Sequence, residues 1–217
     1  MTDVHSPAPA PGHPLLRHAL EDPHDATLAA LAEPSVNSLI AVAWAATHLA
    51  AVARVLHPLA RRTLPHGQSR LRVVLEADKR LQRALWRLDR RLTGDVRFAA
   101  REVGELEDLV ATALEEHTRD ERALVDELVQ EVPEAEQVSL AARIGDAVQH
   151  APTRPHPDAP TSGPMAGLAF RLDAGADHLR DLFDSREVPT PHDVLAPRVP
   201  GRWGLYMMGK PFPRDQK

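Results

Sequence analysis

The sequence predicts an all-α fold, a bundle of antiparallel helices with three long members and shorter ones at its N- and C-terminal ends. Three observations predict it. Apolar residues recur at spacings of three and four over roughly 36–64, 69–93 and 97–131, and no segment shows the two-residue alternation of a half-buried strand. The breaks between these stretches are short, Leu64-Pro65-His66-Gly67 and Gly94-Asp95, and short links make neighbouring helices antiparallel. Hydrophobic residues reach 43% while aromatics are only 4%, so the core must be built from Leu, Val and Ala.

Taken in order, residues 1–14 are Pro-rich and read as an extended arm. Short helices are expected around Leu15–Leu20 and again over the stretch DPHDATLAALA, where Asp22 or Asp25 would cap. Pro34 ends that pattern, and Ser35 or Asn37 can cap the first long helix, which Pro58 is placed to kink. The second and third long helices follow, then a shorter one at about 134–150. The bundle is thus expected over 35–150, after a Pro-rich N-terminal arm with short helices at 1–34. Residues 151–217 divide into a Pro-rich linker, a short amphipathic helix with Leu168, Leu172, Leu179 and Phe183 on one side, and a tail carrying Trp203, Tyr206 and Phe212. Aromatics concentrated in a tail predict docking, on the bundle itself or on a partner or second copy of the chain.

Composition narrows the function classes. A net charge of −5 argues against broad binding to nucleic-acid phosphates. No cysteine is present, which removes disulfides, thiolate metal sites and Cys nucleophiles and fits a reducing cytoplasm. No uninterrupted apolar run of membrane-spanning length stands out, so no membrane association is expected. There is no Gly-rich phosphate loop, nucleophile elbow or plausible triad, and the chain reads as a non-enzyme.

The informative residues interrupt the apolar stripes. On the first long helix Ile40, Trp44, His48, Val52, Val55 and Leu59 share one face. On the second, Leu71, Val74, Leu81, Leu85, Leu88 and Leu92 leave a gap filled by Asp78. On the third, His117 and Glu121 sit between Ala113 and Leu124. Three helices therefore each carry a His or a carboxylate where a core residue belongs, and unpaired burial of such groups is costly. Two readings stay open on the residues alone. His48, Asp78, His117 and Glu121 hold one metal ion, or they satisfy one another as a polar network. The basic run at 78–91 reads as a solvated helix face, His57 beside Pro58 as packing at a helix end, and His150 and His156 as members of no ligand set.

Three stretches resemble the bacterial hemerythrin-like, or HHE cation-binding, domains, the actinobacterial ones in particular. THLAAVARVLHPLARRTLPHG at 47–67 is similar to the family's second helix and its exit, LEEHTRDERAL at 114–124 to its fourth helix with a His-x-x-x-Glu pair, and APTRPHPDAP at 151–160 to a linker that follows the bundle. The resemblance covers roughly 36–184. It implies a four-helix bundle holding non-haem iron, used in oxygen, redox or iron sensing. Carried over by position, it makes His117 and Glu121 the fourth-helix pair and His48 the second-helix ligand, with Val52 where a carboxylate would stand. Asp78 takes the place of the third-helix His, and the first-helix His falls near His13 or His18 without a firm match. The implied site is eroded relative to a di-iron centre: one or two metal ions, iron or zinc, or none. The alternative is a metal-free helical bundle acting as a regulatory or protein-interaction module.

Overall fold

The structure, a computed structural model, describes residues 15–32, 38–157 and 172–177. Those residues form five long α-helices, α1 (Leu15–Ala32), α2 (Ser38–Thr63), α3 (Gly67–Leu92), α4 (Val103–Glu131) and α5 (Glu134–Gln149), with a 3-10 turn at Val96–Phe98 before α4 and a short helical stretch at 172–177. No strand occurs among the described residues, and the fold is all-α.

The N-terminal segment is more regular than expected. One unbroken 18-residue helix, α1, replaces two short ones and runs straight through Pro23. Proline removes one backbone donor and crowds the preceding turn. Here the Thr27 hydroxyl donates to the Pro23 carbonyl at 2.7 Å, one turn further on. The third long helix starts at Val103 rather than near 97, because Asp95 caps the 3-10 turn by accepting from the Arg97 backbone N–H at 3.0 Å.

The connections explain the helix order. Between α2 and α3 only Leu64, Pro65 and His66 intervene, with His66 in the left-handed region at φ 57°. A Cβ at Gly67 would lie 2.3 Å from the Ala60 carbonyl oxygen, so α3 can begin this close to α2 only on glycine. At the far end of α3, Gly94 at φ 83° lets Asp95 N–H reach the Arg90 carbonyl (2.9 Å) and Gly94 N–H reach the Arg91 carbonyl (3.3 Å), a Schellman closure. Between α4 and α5, the buried Gln137 amide donates to the Val129 and Val132 carbonyls at 3.1 and 2.8 Å and so caps the end of α4.

Two apolar clusters make up most of the core. One joins Leu16 and Leu20 of α1, Leu56 and Leu59 of α2, Leu71 and Val74 of α3, Leu124 and Leu128 of α4, and Leu140 and Ile144 of α5. The other joins Val42 and Leu49 of α2, Leu81, Leu85 and Leu88 of α3, and Leu106, Val110 and Leu114 of α4, with Leu28 and Leu31 of α1 packed against it. The start of α2 therefore meets the end of α3, and the start of α3 meets the end of α4. α2 is also long and apolar enough by composition to cross a bilayer, contrary to expectation from its sequence, and most of it is buried among the other helices. That is how the central helix of a bundle behaves.

Beyond α5, Ala151, Pro152, Thr153 and Pro155 are buried although they form no regular element. Residues 172–177 are helical, but Leu172, expected on an apolar side, is 62% exposed; Ala174 and Asp177 are buried instead. Asp177 explains this, accepting from the Arg154 backbone N–H and pairing with His156 Nε2, each at 2.9 Å. Leu168, Leu179, Phe183 and the aromatic residues Trp203, Tyr206 and Phe212 lie outside the described residues.

The Gly67 contact generates a stability prediction. Gly67→Ala forces α3 away from Ala60 and costs about 2 kcal/mol, a fall of roughly 4–8 °C in Tm for a chain of this size. Gly104→Ala, where nothing lies within 4 Å of the added Cβ, serves as the comparison in the same thermal scan and should not fall.

Candidate metal centre

Four of the five helices, α1 to α4, each set a His or a carboxylate in an inward apolar slot, and these residues coincide in space. On α1, His24 lies between Leu20 of one cluster and Leu28 of the other; on α3, Asp78 lies between Val74 and Leu81. On α4, His117 and Glu121 lie between Leu114 and Leu124, and on α2, His48 lies between Ala45 and Val52. Side chains three or four residues apart share a helix face. A polar residue in the inward slot therefore points where its apolar neighbours point, and the result is one polar layer between two apolar clusters.

At its centre, one ligand atom each from His24, His48, His117 and Glu121 lie within 4.8 Å of one another, and all four residues are buried. His24 Nε2 and His48 Nε2 are 2.8 Å apart, and both are 3.4 Å from Glu121 Oε2. His117 Nε2 lies 3.7 Å from Glu121 Oε1. The rings of His24, His48 and His117 meet edge-on with centroids 4.4, 5.1 and 5.7 Å apart. An ion bonded at about 2.1 Å holds two ligands about 3.0 Å apart at a right angle and about 3.4 Å apart at the tetrahedral angle. The observed separations bracket those values, and this buried group could hold a metal ion.

Asp78 stands outside that group of four. Its Oδ1 pairs with His117 Nδ1 at 2.9 Å and its Oδ2 lies 3.5 Å from His57 Nε2. Expected as a ligand, it instead takes the far nitrogen of a candidate ligand and leaves His117 Nε2 aimed at the centre, as outer carboxylates do around metal-bound imidazoles. His57, read from the sequence as packing at a helix end, is buried beside Asp78. Arg119 and Arg122 do not turn toward Glu121; they pair with Asp120 and Glu21 at 3.1 and 3.0 Å.

The residue that sequence reasoning missed is His24. His13 lies outside the described residues and His18 is exposed, whereas His24 is 3% exposed at the centre. The signal was present in Leu16, Leu20, His24, Leu28 and Leu31, a three-and-four spacing. Reading the segment as two short helices, the second starting near Asp22, split that spacing and hid it.

The electrostatics suit a cation. Burial, aided by the proximity of His48, lowers the His24 pKa to about 2, so its imidazole is neutral. Burial alone would raise Glu121, but His48, His117 and His24 around it hold the carboxyl down to about 2, so it is ionised. Burial depresses His57, against the pull of Asp78. Burial would lower His117, but its hydrogen bond to Asp78 and the negative charges of Glu121 and Asp78 outweigh that and push it up. Neutral imidazole and ionised carboxylate are the forms a metal binds, so His24 and Glu121 are already in them, whereas His117 gives up a proton to an incoming ion. Among the described residues His117 Nε2 and Glu121 Oε1 are buried without a hydrogen-bond partner, so the donor set has bonding capacity directed at one point.

No family model matches the chain, and no curated protein or solved structure matches it.

The histidine shifts give the metal-free protein a pH dependence. A base whose folded pKa is depressed binds fewer protons folded than unfolded, so stability falls as pH drops below the unfolded value near 6.5. His24 and His57 act in this direction and the raised His117 opposes them, which leaves a net loss. Chemical denaturation at pH 7.5 and pH 5.5 should show lower stability at the acidic value, with a slope up to about 1.4 kcal/mol per pH unit for one net proton. His24→Asn should flatten the slope.

Proposed function

We propose that this chain is a hemerythrin-like, antiparallel helical bundle that binds one non-haem metal ion through His24, His48, His117 and Glu121, and that the ion serves oxygen, redox or iron sensing. The observation that carries the reading is the convergence of four buried ligand atoms from three helices within 4.8 Å. Pairing of helix ends across both apolar clusters supports the bundle type. Three imidazoles and one carboxylate suit iron and zinc alike, since imidazole takes either. The resemblance of 47–67, 114–124 and 151–160 to hemerythrin-like domains favours iron. Within the site, His24, His48, His117 and Glu121 would hold the ion, which supplies a redox couple or a Lewis acid. Asp78 fixes the tautomer of His117 by accepting its Nδ1 proton, which keeps Nε2 available as a donor of electrons.

The second reading is a metal-free module in which the same residues form a polar network. The 2.8 Å contact between His24 and His48 favours it, because one neutral imidazole donating to another needs no ion. The unpartnered His117 Nε2 and Glu121 Oε1 weigh against it, since a closed network would pair both.

Elemental analysis of untagged protein decides between them. About one equivalent of iron or zinc is expected in the wild type, and little in His24→Ala or in the His117→Ala/Glu121→Ala double variant. Asp78→Asn should still reach one equivalent when metal is in excess but with affinity about 10–100-fold weaker, as for other second-layer carboxylates. No metal after iron-supplemented expression and aerobic reconstitution leaves the polar network as the function-bearing arrangement.

A further inference from the structure

Between α1 and α4 a cavity of about 10 Å³, room for one water-sized group, abuts the metal centre. His24 and Glu121 form its inner wall, and the Thr118 hydroxyl, buried and without a hydrogen-bond partner among the described residues, lines it. Its outer wall consists of two ion pairs that tie α1 to α4: Arg17 to Asp126 at 2.6 Å and Arg122 to Glu21 at 3.0 Å. Outside them lies a surface groove of about 350 Å³ that shares Thr118, Arg122 and Asp126 with the inner cavity. The cavity against His24 and Glu121 and the groove open to solvent thus share three lining residues, and the ion-pair side chains at this seam are about one-third to one-half exposed.

We propose that this seam is the port through which a divalent first-row metal ion enters and leaves the centre, with the two ion pairs as its gate. The inference rests on the metal-binding reading above. A hydrated ion is wider than the cavity, so passage requires α1 to move away from α4. Such a movement withdraws a single ligand, His24, while His48, His117 and Glu121 stay in place on α2 and α4. Pro23, the residue before His24, leaves the preceding turn one backbone hydrogen bond short and makes this stretch of α1 the easier one to displace. The opposite side of the centre is less able to open. There the buried Asp78–His117 hydrogen bond joins α3 to α4. Exposed ion pairs are weak enough to break on the timescale of exchange, and salt screens them.

The test is stopped-flow kinetics on the full chain, following Co²⁺ uptake by metal-free protein and its release into a chelator. In Arg17→Ala/Arg122→Ala both rates should rise, about threefold for each ion pair removed and about tenfold together, with Kd within about twofold because the gate is closed in both the loaded and the empty protein. Added salt should accelerate the wild type and leave the double variant nearly unchanged. Thr118→Met, which fills the cavity, should slow uptake and release. The control is Arg80→Ala, which removes the 2.9 Å pair to Glu116 between α3 and α4 and should change neither rate. Faster uptake with slower release would mean that the lost arginines merely strengthened cation binding, and would overturn the port. Unchanged rates in the double variant, or equal acceleration in Arg80→Ala, would overturn it too while leaving the metal site intact. Absence of Co²⁺ and iron binding by the wild type at equilibrium would overturn both readings together.

Discussion

Glu121 is 1% exposed, and its carboxylate sits in the middle of a helical core with no route to bulk water through its own side chain. Taking such a charge out of water costs several kcal/mol even after the surroundings relax, and the cost is recovered only by groups that meet it closely. The rest of the layer follows from that constraint. Three imidazoles surround the carboxylate, one of them is held in place by a second carboxylate, Asp78, and that carboxylate in turn faces a fourth imidazole, His57. Each member is intelligible only from the one before it. The chain of dependence runs from α4 outward to α1, α2 and α3, so α4 is the helix on which the others are arranged.

Within the layer the helices contribute unequally. α4 supplies two members of the central group, α2 and α1 one each, and α3 none, its Asp78 acting from behind His117. The asymmetry gives the two sides of the centre different character. Toward α3 it is backed by a hydrogen-bonded carboxylate and a Leu-rich face; toward α1 it is backed by a small cavity and surface charge. The centre thus has a buried hydrogen bond behind it on one side and surface ion pairs on the other.

Much of this was legible in the sequence, and the parts that were not failed for definite reasons. The long helices, the glycine turns and the inward placement of His48, Asp78, His117 and Glu121 follow from spacing, because a helix face repeats every three to four residues regardless of its neighbours. What spacing cannot supply is height along the bundle, which depends on how far each turn offsets one helix from the next. The apolar residues above and below each polar one settle that height in three dimensions, and they bring His24 into the layer and set Asp78 behind His117. The N-terminal segment misled for a separate reason: Asp22 and Asp25 read as caps that divide it into two short helices, yet one helix is held together by Leu16, Leu20, Leu28 and Leu31 on either side of them. The helical turn at 172–177 misled because a buried Asp177, not Leu172, anchors it.

The position of the polar layer between two apolar clusters also bears on how this sequence selects its own fold. Leu, Val and Ala pack against one another with little discrimination, and a helix sliding by one turn would still find apolar partners along most of its length. It would also carry His24, His48, Asp78 or Glu121 into an apolar cluster and strand it there. The layer thus acts as an alignment mark, much as a single buried polar residue fixes the register of a coiled coil. A core so poor in aromatic residues has few shape cues of its own, and here the charges provide the vernier.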